Sequence, residues 1–370
     1  MDFAKIYNKL QTLYNFIPYY LFRGGGSFPP LNVHFMTTLD CNLKCRGCFI
    51  ERHDKPADLP ATRKKHLSSQ EIITLIDATP FYSILTFSGG EPLLRKDWFD
   101  TLSYAAKKRR CHLITNANLI GREEAVSLVD LGVGSIFGKG LLAVGISVNG
   151  IGDVHDRVTR RPGSFEKTIN AIRTIQDVKK ERNARFPLID IKTVIRQECM
   201  HQLSEICSLA EELGADILSF QIFSGQKQPA YYRGSHSQGN PPAAGQPEPI
   251  SADARHLDVL ESQLRRIDER KKELPFKVRL LPEIPVSEIV RYYAGEFDPK
   301  KFICTSPWAY MIIKETGDVT PCIEGYPAWN IRQHSFDKCW NSPGMKALRR
   351  DIRKKGVTPA CMGCCLLEPK

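Results

Sequence analysis

The sequence predicts an α/β fold: a parallel sheet rolled into a barrel or partial barrel with helices outside, then a small C-terminal α+β unit. Three observations predict it. Short β-rich apolar runs alternate with amphipathic helical stretches through the middle of the chain, the pattern of repeated βα units. Residue types that carry chemistry fall directly after those runs, and parallel α/β folds gather ligands at the carboxyl ends of their strands. Beyond the last unit, cysteines at metal-ligand spacing flank a hairpin pattern.

Residues 1–30 carry Phe3, Ile6, Tyr7, Leu10, Tyr14 and Ile17 at helical spacing, with Lys5 and Lys9 beside them. An N-terminal amphipathic helix is expected there, either docked on the barrel wall or lying in a membrane interface as a peripheral contact. The core spans 31–223. Strands are expected at residues 32–36, 83–87, 112–115, 142–148, 189–195 and 217–222, and helices near 68–78, 96–109, 121–131, 164–182 and 201–213. Residues 132–140 are glycine-rich, but no strand precedes them and no helix opens there. They read as a loop rather than a dinucleotide fingerprint. Residues 224–250 are rich in Gly, Pro, Ser and Gln; a loop of that length is either disordered or functional, with Tyr231, Tyr232 and Arg233 as contacts if it covers a substrate. Residues 251–283 read as a connecting helix and strand, and 284–370 as the C-terminal unit.

At 370 residues the chain accommodates one catalytic domain of about 250 residues and a small appendage. The net charge of +11 is compatible with anionic substrates, but it is spread along the chain like an ordinary solvated surface, and no nucleic-acid partner is expected. No apolar run reaches 18 residues, which argues against a spanning helix. The twelve cysteines cluster at metal-ligand spacings without a signal peptide, so a reducing, cytoplasmic setting is expected rather than a disulfide scaffold.

The most informative residues are Cys41, Cys45 and Cys48, spaced Cys-x3-Cys-x2-Cys after the first strand. Three thiolates can hold three corners of a 4Fe–4S cube and leave the fourth iron open to a small molecule, whereas a structural zinc takes four protein ligands. Alone, the trio also fits a fragment of a zinc site. A second motif, Ser88-Gly89-Gly90-Glu91-Pro92, follows the second strand. Glycines let main chain approach a ligand closely, although a Gly-Gly pair by itself is commonly just a turn. Asn116 follows the third strand, and the fourth ends at Ser147, continuing through Asn149, His155, Asp156 and Arg157 to Gly163-Ser164-Phe165. Arg157 suits a carboxylate partner, while His155 and Asp156 either act at the site or brace the loop.

Together these motifs resemble the radical S-adenosylmethionine (SAM) superfamily, whose usual core is a (β/α)6 partial barrel. The resemblance implies that Cys41, Cys45 and Cys48 hold a 4Fe–4S cluster and that SAM chelates its open iron. It implies cofactor contacts from Gly89, Gly90, Glu91, Pro92, Asn116, Ser147, Asn149 and Arg157. Three positions depart from the pattern. Asn149 replaces the usual Asp and carries no charge. Ala117 stands where relatives have glycine after Thr-Asn, and Gly47 stands where relatives often have an aromatic, with Phe49 two residues on.

In the C-terminal unit, Cys304 precedes a hairpin that turns at Gly317 and leads to Cys322; Cys361, Cys364 and Cys365 come later. As residues alone they fit a four-cysteine zinc or iron–sulfur site. Their spacing resembles the twitch, or half-SPASM, extension of the same superfamily. That implies an auxiliary 4Fe–4S cluster on Cys304, Cys322, Cys361 and Cys364, with Cys365 as the alternative to Cys364. Cys111, Cys199, Cys207 and Cys339 read as buried small apolar residues.

The implied activity is reductive cleavage of SAM to a 5′-deoxyadenosyl radical, which takes a hydrogen atom from substrate. An oxidation or cross-link would result, with the auxiliary cluster accepting the electron and a flavodoxin- or ferredoxin-type donor supplying the first one. The substrate would be a small metabolite or sugar, or a ribosomal peptide. Two alternatives stay open: a membrane-associated lipid- or isoprenoid-modifying enzyme of the same superfamily, and a non-enzymatic iron–sulfur or zinc protein. No catalytic acid or base stands out in the sequence.

Overall fold

The computed structural model describes residues 13–48, 66–135, 138–223, 252–321, 329–357, 361, 364 and 366–370. Seven parallel strands pair in chain order: β1 Asn32–Met36, β2 Ile84–Ser88, β3 Arg110–Thr115, β4 Gly140–Ser147, β5 Leu188–Ile195, β6 Ile217–Ile222 and β7 Lys277–Leu281. Helices connect them: α2 Ser69–Ala78, α3 Trp98–Lys108, α4 Arg122–Asp130, α5 Asp153–Thr159, α6 Ser164–Glu181, α7 Leu203–Glu212 and α8 Ala254–Arg270, after an initial helix α1 at 13–21. α2 starts where the sequence supplies a capping box, Ser68 with Glu71.

Alternate residues of each strand build the main core. Phe35, Leu85, Leu113, Ile189, Leu218 and Phe220 are buried with Ile72, Ile76, Leu128, Ile172 and Ile206 of the helices. Each such side chain contributes about 1.5–3 kcal/mol, so the apolar face decides which way every strand turns.

The sheet is wider than the six expected units. An incompletely closed barrel leaves two edges of unpaired backbone, and both are extended here. On one side β7 pairs with β6. On the other, β9 Tyr310–Ile313 runs parallel to β1, and β10 Asp318–Thr320 and β11 Trp329–Asn330 continue antiparallel. The expected hairpin is therefore β9–β10, with Gly317 at φ +84°, a left-handed position that glycine adopts freely. Because β9 parallels β1, its turn emerges at the end of the sheet where β1 leads to the first cysteines. A separate pair, β8 Phe302–Cys304 and β12 Leu367–Pro369, closes the C-terminal unit with α9 Val286–Tyr293, α10 Phe336–Trp340 and α11 Pro343–Lys355.

Three local expectations change. The N-terminal helix ends at residue 21 rather than reaching 30, because Gly24–Gly26 follow; Gly25 has φ +83° and passes so close to α11 that a β-carbon would lie 2.2 Å from the Lys346 carbonyl oxygen. Its described part is docked: Tyr14 donates to the Pro29 carbonyl at 2.7 Å, and Tyr19 meets Trp308 edge-on at 5.0 Å. Phe3, Ile6, Tyr7 and Leu10 lie outside the described residues, as do 224–250 with Tyr231, Tyr232 and Arg233. Second, α5 is an unexpected helix, too short at seven residues to show a 3.6-residue period. Third, the strand expected within 251–283 is present at Lys277–Leu281, but it pairs with β6 and so extends the barrel sheet. Among the described residues no helix is long and apolar enough to cross a membrane.

Candidate active site

Cys41, Cys45 and Cys48 occupy the loop that leaves β1, and backbone hydrogen bonds pin that loop on two sides. Gly90 N–H donates to the Thr38 carbonyl at 2.6 Å and Glu91 N–H to the Asp40 carbonyl at 2.8 Å. The Lys44 and Arg46 amides donate to Thr159 and Val158 at the end of α5. The approach of the Gly-Gly turn leaves no room for side chains. A β-carbon on Gly89 would sit 2.3 Å from the Thr38 oxygen, and one on Gly90 2.0 Å from the Asp40 oxygen. Within the loop, Cys48 N–H donates to Cys45 at 3.1 Å across Gly47, whose φ of +66° explains a glycine where relatives of this pattern often carry an aromatic ring. Phe49 lies outside the described residues.

Glu91 turns inward. Its carboxylate, 1% exposed, accepts from Leu93 N–H at 3.2 Å, Thr115 Oγ1 at 2.7 Å and Asn116 N–H at 2.8 Å, tying the Gly-Gly loop to the exit of β3. Burial raises its pKa, against the lowering effect of those three donors. Glu91 thus holds the loop in place, and Pro92 opens the short turn behind it. Asn116 reaches the cysteines: its Nδ2 lies 3.8 Å from Cys41 Sγ and 2.8 Å from Asn42 Oδ1.

At the exit of β4, Ser147 is partly exposed, and Arg157 on α5 is exposed. The Asn149 side-chain oxygen is already taken by Val194 N–H at 3.0 Å, which leaves its NH2 for a ligand. His155 and Asp156 brace. His155 Nδ1 accepts from Asn149 N–H at 3.2 Å, so the ring proton sits on Nε2 and is donated to Ser164 Oγ at 3.2 Å; burial pushes its pKa down to about 4 and keeps it neutral. Asp156 accepts from the Gly163 and Phe165 amides at 2.6 and 2.8 Å, where α6 begins.

One positioning residue escapes sequence reasoning. Arg95 donates through one guanidinium nitrogen to the Thr37 and Leu67 carbonyls, at 2.9 and 3.1 Å, and grips Asp97 with the other two, at 2.9 and 2.6 Å. The Arg-x-Asp pair just after the Gly-Gly loop is the only sequence signal for it.

The three cysteines form no disulfide, and burial raises the pKa of Cys41 and drives Cys45 up to about 12, with the neighbouring thiols adding to the rise at both. Bare thiolates are disfavoured in such a place, and bound iron supplies the compensating positive charge. Among the described residues no three His, Cys, Asp or Glu converge on a single ion. A cluster does not require convergence, because each cysteine takes a separate iron. The donor set fits a 4Fe–4S cluster.

The C-terminal set is gathered from far apart in sequence. β8–β12 pairing sets Leu367 opposite Cys304, and Cys364 N–H donates to Cys361 at 2.9 Å in the turn just before β12. Cys304, Cys361 and Cys364 form no disulfide and are half-buried. Cys322 and Cys365 lie outside the described residues. The remaining cysteines, Cys111, Cys199, Cys207 and Cys339, are buried as expected.

The radical SAM superfamily model matches residues 35–210, and that of an iron–sulfur cluster-binding domain, SPASM, matches residues 304–365. The chain is 26% identical over 321 residues to an AdoMet-dependent heme synthase of Nitratidesulfovibrio vulgaris, covering 82% of this chain and 76% of that one. It is 25% identical over 328 residues to the antilisterial bacteriocin subtilosin biosynthesis protein AlbA of Bacillus subtilis; 86% of this chain is covered, but only 62% of AlbA. Among solved structures it is similar to Streptococcus suis SuiB bound to precursor peptide SuiA, with a TM-score of 0.62, 17% identity and coverage of 93% of this chain and 72% of that one. At that identity the likeness concerns the fold.

Proposed function

Since the chain belongs to the radical SAM superfamily and carries an iron–sulfur cluster-binding domain of the SPASM type, we propose that it catalyses a net oxidation or cross-link of a peptide or small-metabolite substrate at the mouth of the barrel. One observation carries this reading: the β9–β10 hairpin, flanked in sequence by Cys304 and Cys322, is hydrogen-bonded into the same sheet as β1, which leads to the first cysteines. An electron acceptor held there suits oxidation better than redox-neutral chemistry.

The resident cluster and SAM, when bound, supply a strongly oxidising carbon radical that takes hydrogen from substrate. Cys41, Cys45 and Cys48 would hold that cluster, and Cys304, Cys361 and Cys364, with Cys322 as the fourth ligand, the auxiliary one. Arg95, Glu91 and the Gly89–Gly90 turn fix the cysteine loop so that no reorganisation is needed on binding. Asn116, the free NH2 of Asn149, Ser147 and Arg157 offer polar groups along the strand exits for SAM. The electron donor is proposed to be a flavodoxin or ferredoxin.

The test is anaerobic reconstitution followed by chromatography for 5′-deoxyadenosine with dithionite and SAM. Formation in the native chain, and none in Cys45→Ala, is expected; no formation in the native chain, with the cluster spectrum indifferent to SAM, overturns the reading. Exposed Leu13, Tyr20, Leu21 and Phe81, near the Tyr14–Tyr82 pair, favour a second reading in which the same chemistry is performed at a lipid surface. Co-sedimentation with anionic liposomes checks it, and no binding removes it.

A further inference from the structure

The inward faces of the strands differ from their helix-covered faces. Barrel interiors are commonly filled by branched apolar side chains. Here His112 of β3, Asp190 and Lys192 of β5, Ser219 of β6 and Arg279 of β7 form one polar group. Asp190 is its hub. Its Oδ2 accepts from Lys192 Nζ at 2.7 Å and from Arg279 Nη2 at 2.6 Å, and its Oδ1 accepts from Ser219 Oγ at 2.7 Å. Arg279 Nε and Nη2 also donate to Ser219 Oγ, at 3.1 and 2.9 Å.

Two features show that this group is more than a closed ion-pair network. Two cations share one carboxylate, so the cluster has one positive charge in excess, and buried charge without a counterion is costly. The Asp190 side chain is 2% exposed, whereas Lys192 and Arg279 keep 23% and 27%, so both cations stay partly accessible. In addition, His112 Nε2 is buried with no hydrogen-bond partner. It lies beside the Lys192 stem at Gly145: a β-carbon there would meet Lys192 Cε at 2.5 Å and His112 Nε2 at 3.2 Å. Burial, then the charge of Lys192, holds the His112 pKa down to about 3, so the ring is neutral and able to donate one hydrogen bond.

We propose that Lys192, Arg279 and His112 form a carboxylate-binding subsite in the barrel interior that seats an anionic end of the substrate. Asp190 and Ser219 are positioning residues that aim the two cations. A carboxylate is the matching class because one negative charge balances the excess of one; a phosphate dianion would leave the site negative. The planar guanidinium and the ammonium supply charge-assisted donors, and His112 gains the partner it lacks. This deepens the oxidative reading of the same barrel, since a substrate tethered by its carboxylate presents its neighbouring carbons to the mouth.

The test is a ligand-observed NMR titration of the reconstituted full chain with propionate and, in parallel, propionamide. Saturable propionate binding, with propionamide at least about tenfold weaker, is expected. Lys192→Gln and Arg279→Gln each leave a balanced one-to-one pair with Asp190, so folding is preserved, and each is expected to weaken propionate about tenfold or more. Equal binding of acid and amide, or variants that bind propionate as the native chain does, overturns the proposal. Displacement of propionate by SAM also overturns it, by making the group part of the cofactor's seat. A glutamate-containing decapeptide and a tetrapropionate porphyrin, each competed against propionate, distinguish a peptide side chain from a macrocycle as the carrier. Formation of 5′-deoxyadenosine without propionate binding would sink the subsite and leave the oxidative reading standing.

Discussion

The two cysteine sites are built in opposite ways. The first draws its three cysteines from eight consecutive residues, and its geometry comes from backbone pinned to backbone: the Gly89–Gly90 turn against Thr38–Asp40, and Glu91 across to Asn116. The second collects Cys304 with Cys361 and Cys364, more than fifty residues apart, through the β8–β12 pair and the packing of α11. A local site can be recognised from spacing and preformed by its loop. A gathered site exists only when the surrounding unit is folded, so metal binding and folding are coupled there more tightly.

That contrast can be broken by variants confined to one side, and the largest effect is expected at Gly90→Ala. The added carbon meets main chain at 2.0 Å, which no side-chain rotation relieves. Iron content should fall from about eight to about four atoms per chain, with the C-terminal set still loaded. Loss of iron from both sites would show that they are not independent.

Arg349→Met is the mirror experiment. This fully buried guanidinium donates to the carbonyls of Pro307, Gly25 and Trp340 and to Asn341 Oδ1, and it stacks over Trp340 at 4.2 Å. Removing it leaves several buried acceptors unsatisfied and should cost about 3 kcal/mol or more in chemical denaturation. Iron is expected to leave the C-terminal set first.

A smaller effect sharpens the link between the two regions. Arg332, in the C-terminal unit, grips Glu71 of α2 at 2.6 and 3.1 Å. The Arg332 hydrogen bond lowers the Glu71 pKa from 4.5 to about 2. A depressed carboxylate value means that the pair stabilises the fold above pH 4.5 and loses that contribution as pH falls toward 2. The pair is partly exposed and screened by solvent, so Glu71→Gln should cost no more than about 1 kcal/mol at pH 7. The difference between variant and native melting temperatures should vanish on acidification, and a difference independent of pH would contradict the assignment.

The smallest change is expected at Ala117→Gly. Ala117 is fully buried at φ +61°, where a β-carbon is strained, but the methyl also fills space in the core. The two effects oppose, and denaturation midpoints should move by less than about 1 kcal/mol.

Much of this molecule is legible in the chain. β1 and β6 have the expected limits because each is a short apolar run bounded by turn residues. β7 is less so: Lys277-Val278-Arg279-Leu280-Leu281 carries two cations, and only its place beside β6 makes it a barrel strand. The inward role of Arg279 could not be read for the same reason. His155 and Asp156 are identifiable as a motif, but whether they brace or react depends on Asn149, Ser164, Gly163 and Phe165 meeting them in space.

Sequence alone determined the superfamily and singled out the Cys41, Cys45 and Cys48 trio and the Gly89–Gly90 pair as candidates, because those depend on residue identity over short spans. Tertiary structure decided which distant cysteines come together, that the hairpin joins the barrel sheet at β1, and that two cations share Asp190. Those outcomes arise from pairing between segments separated by tens to hundreds of residues, and the entropy of bringing them together is met only by the packed core as a whole.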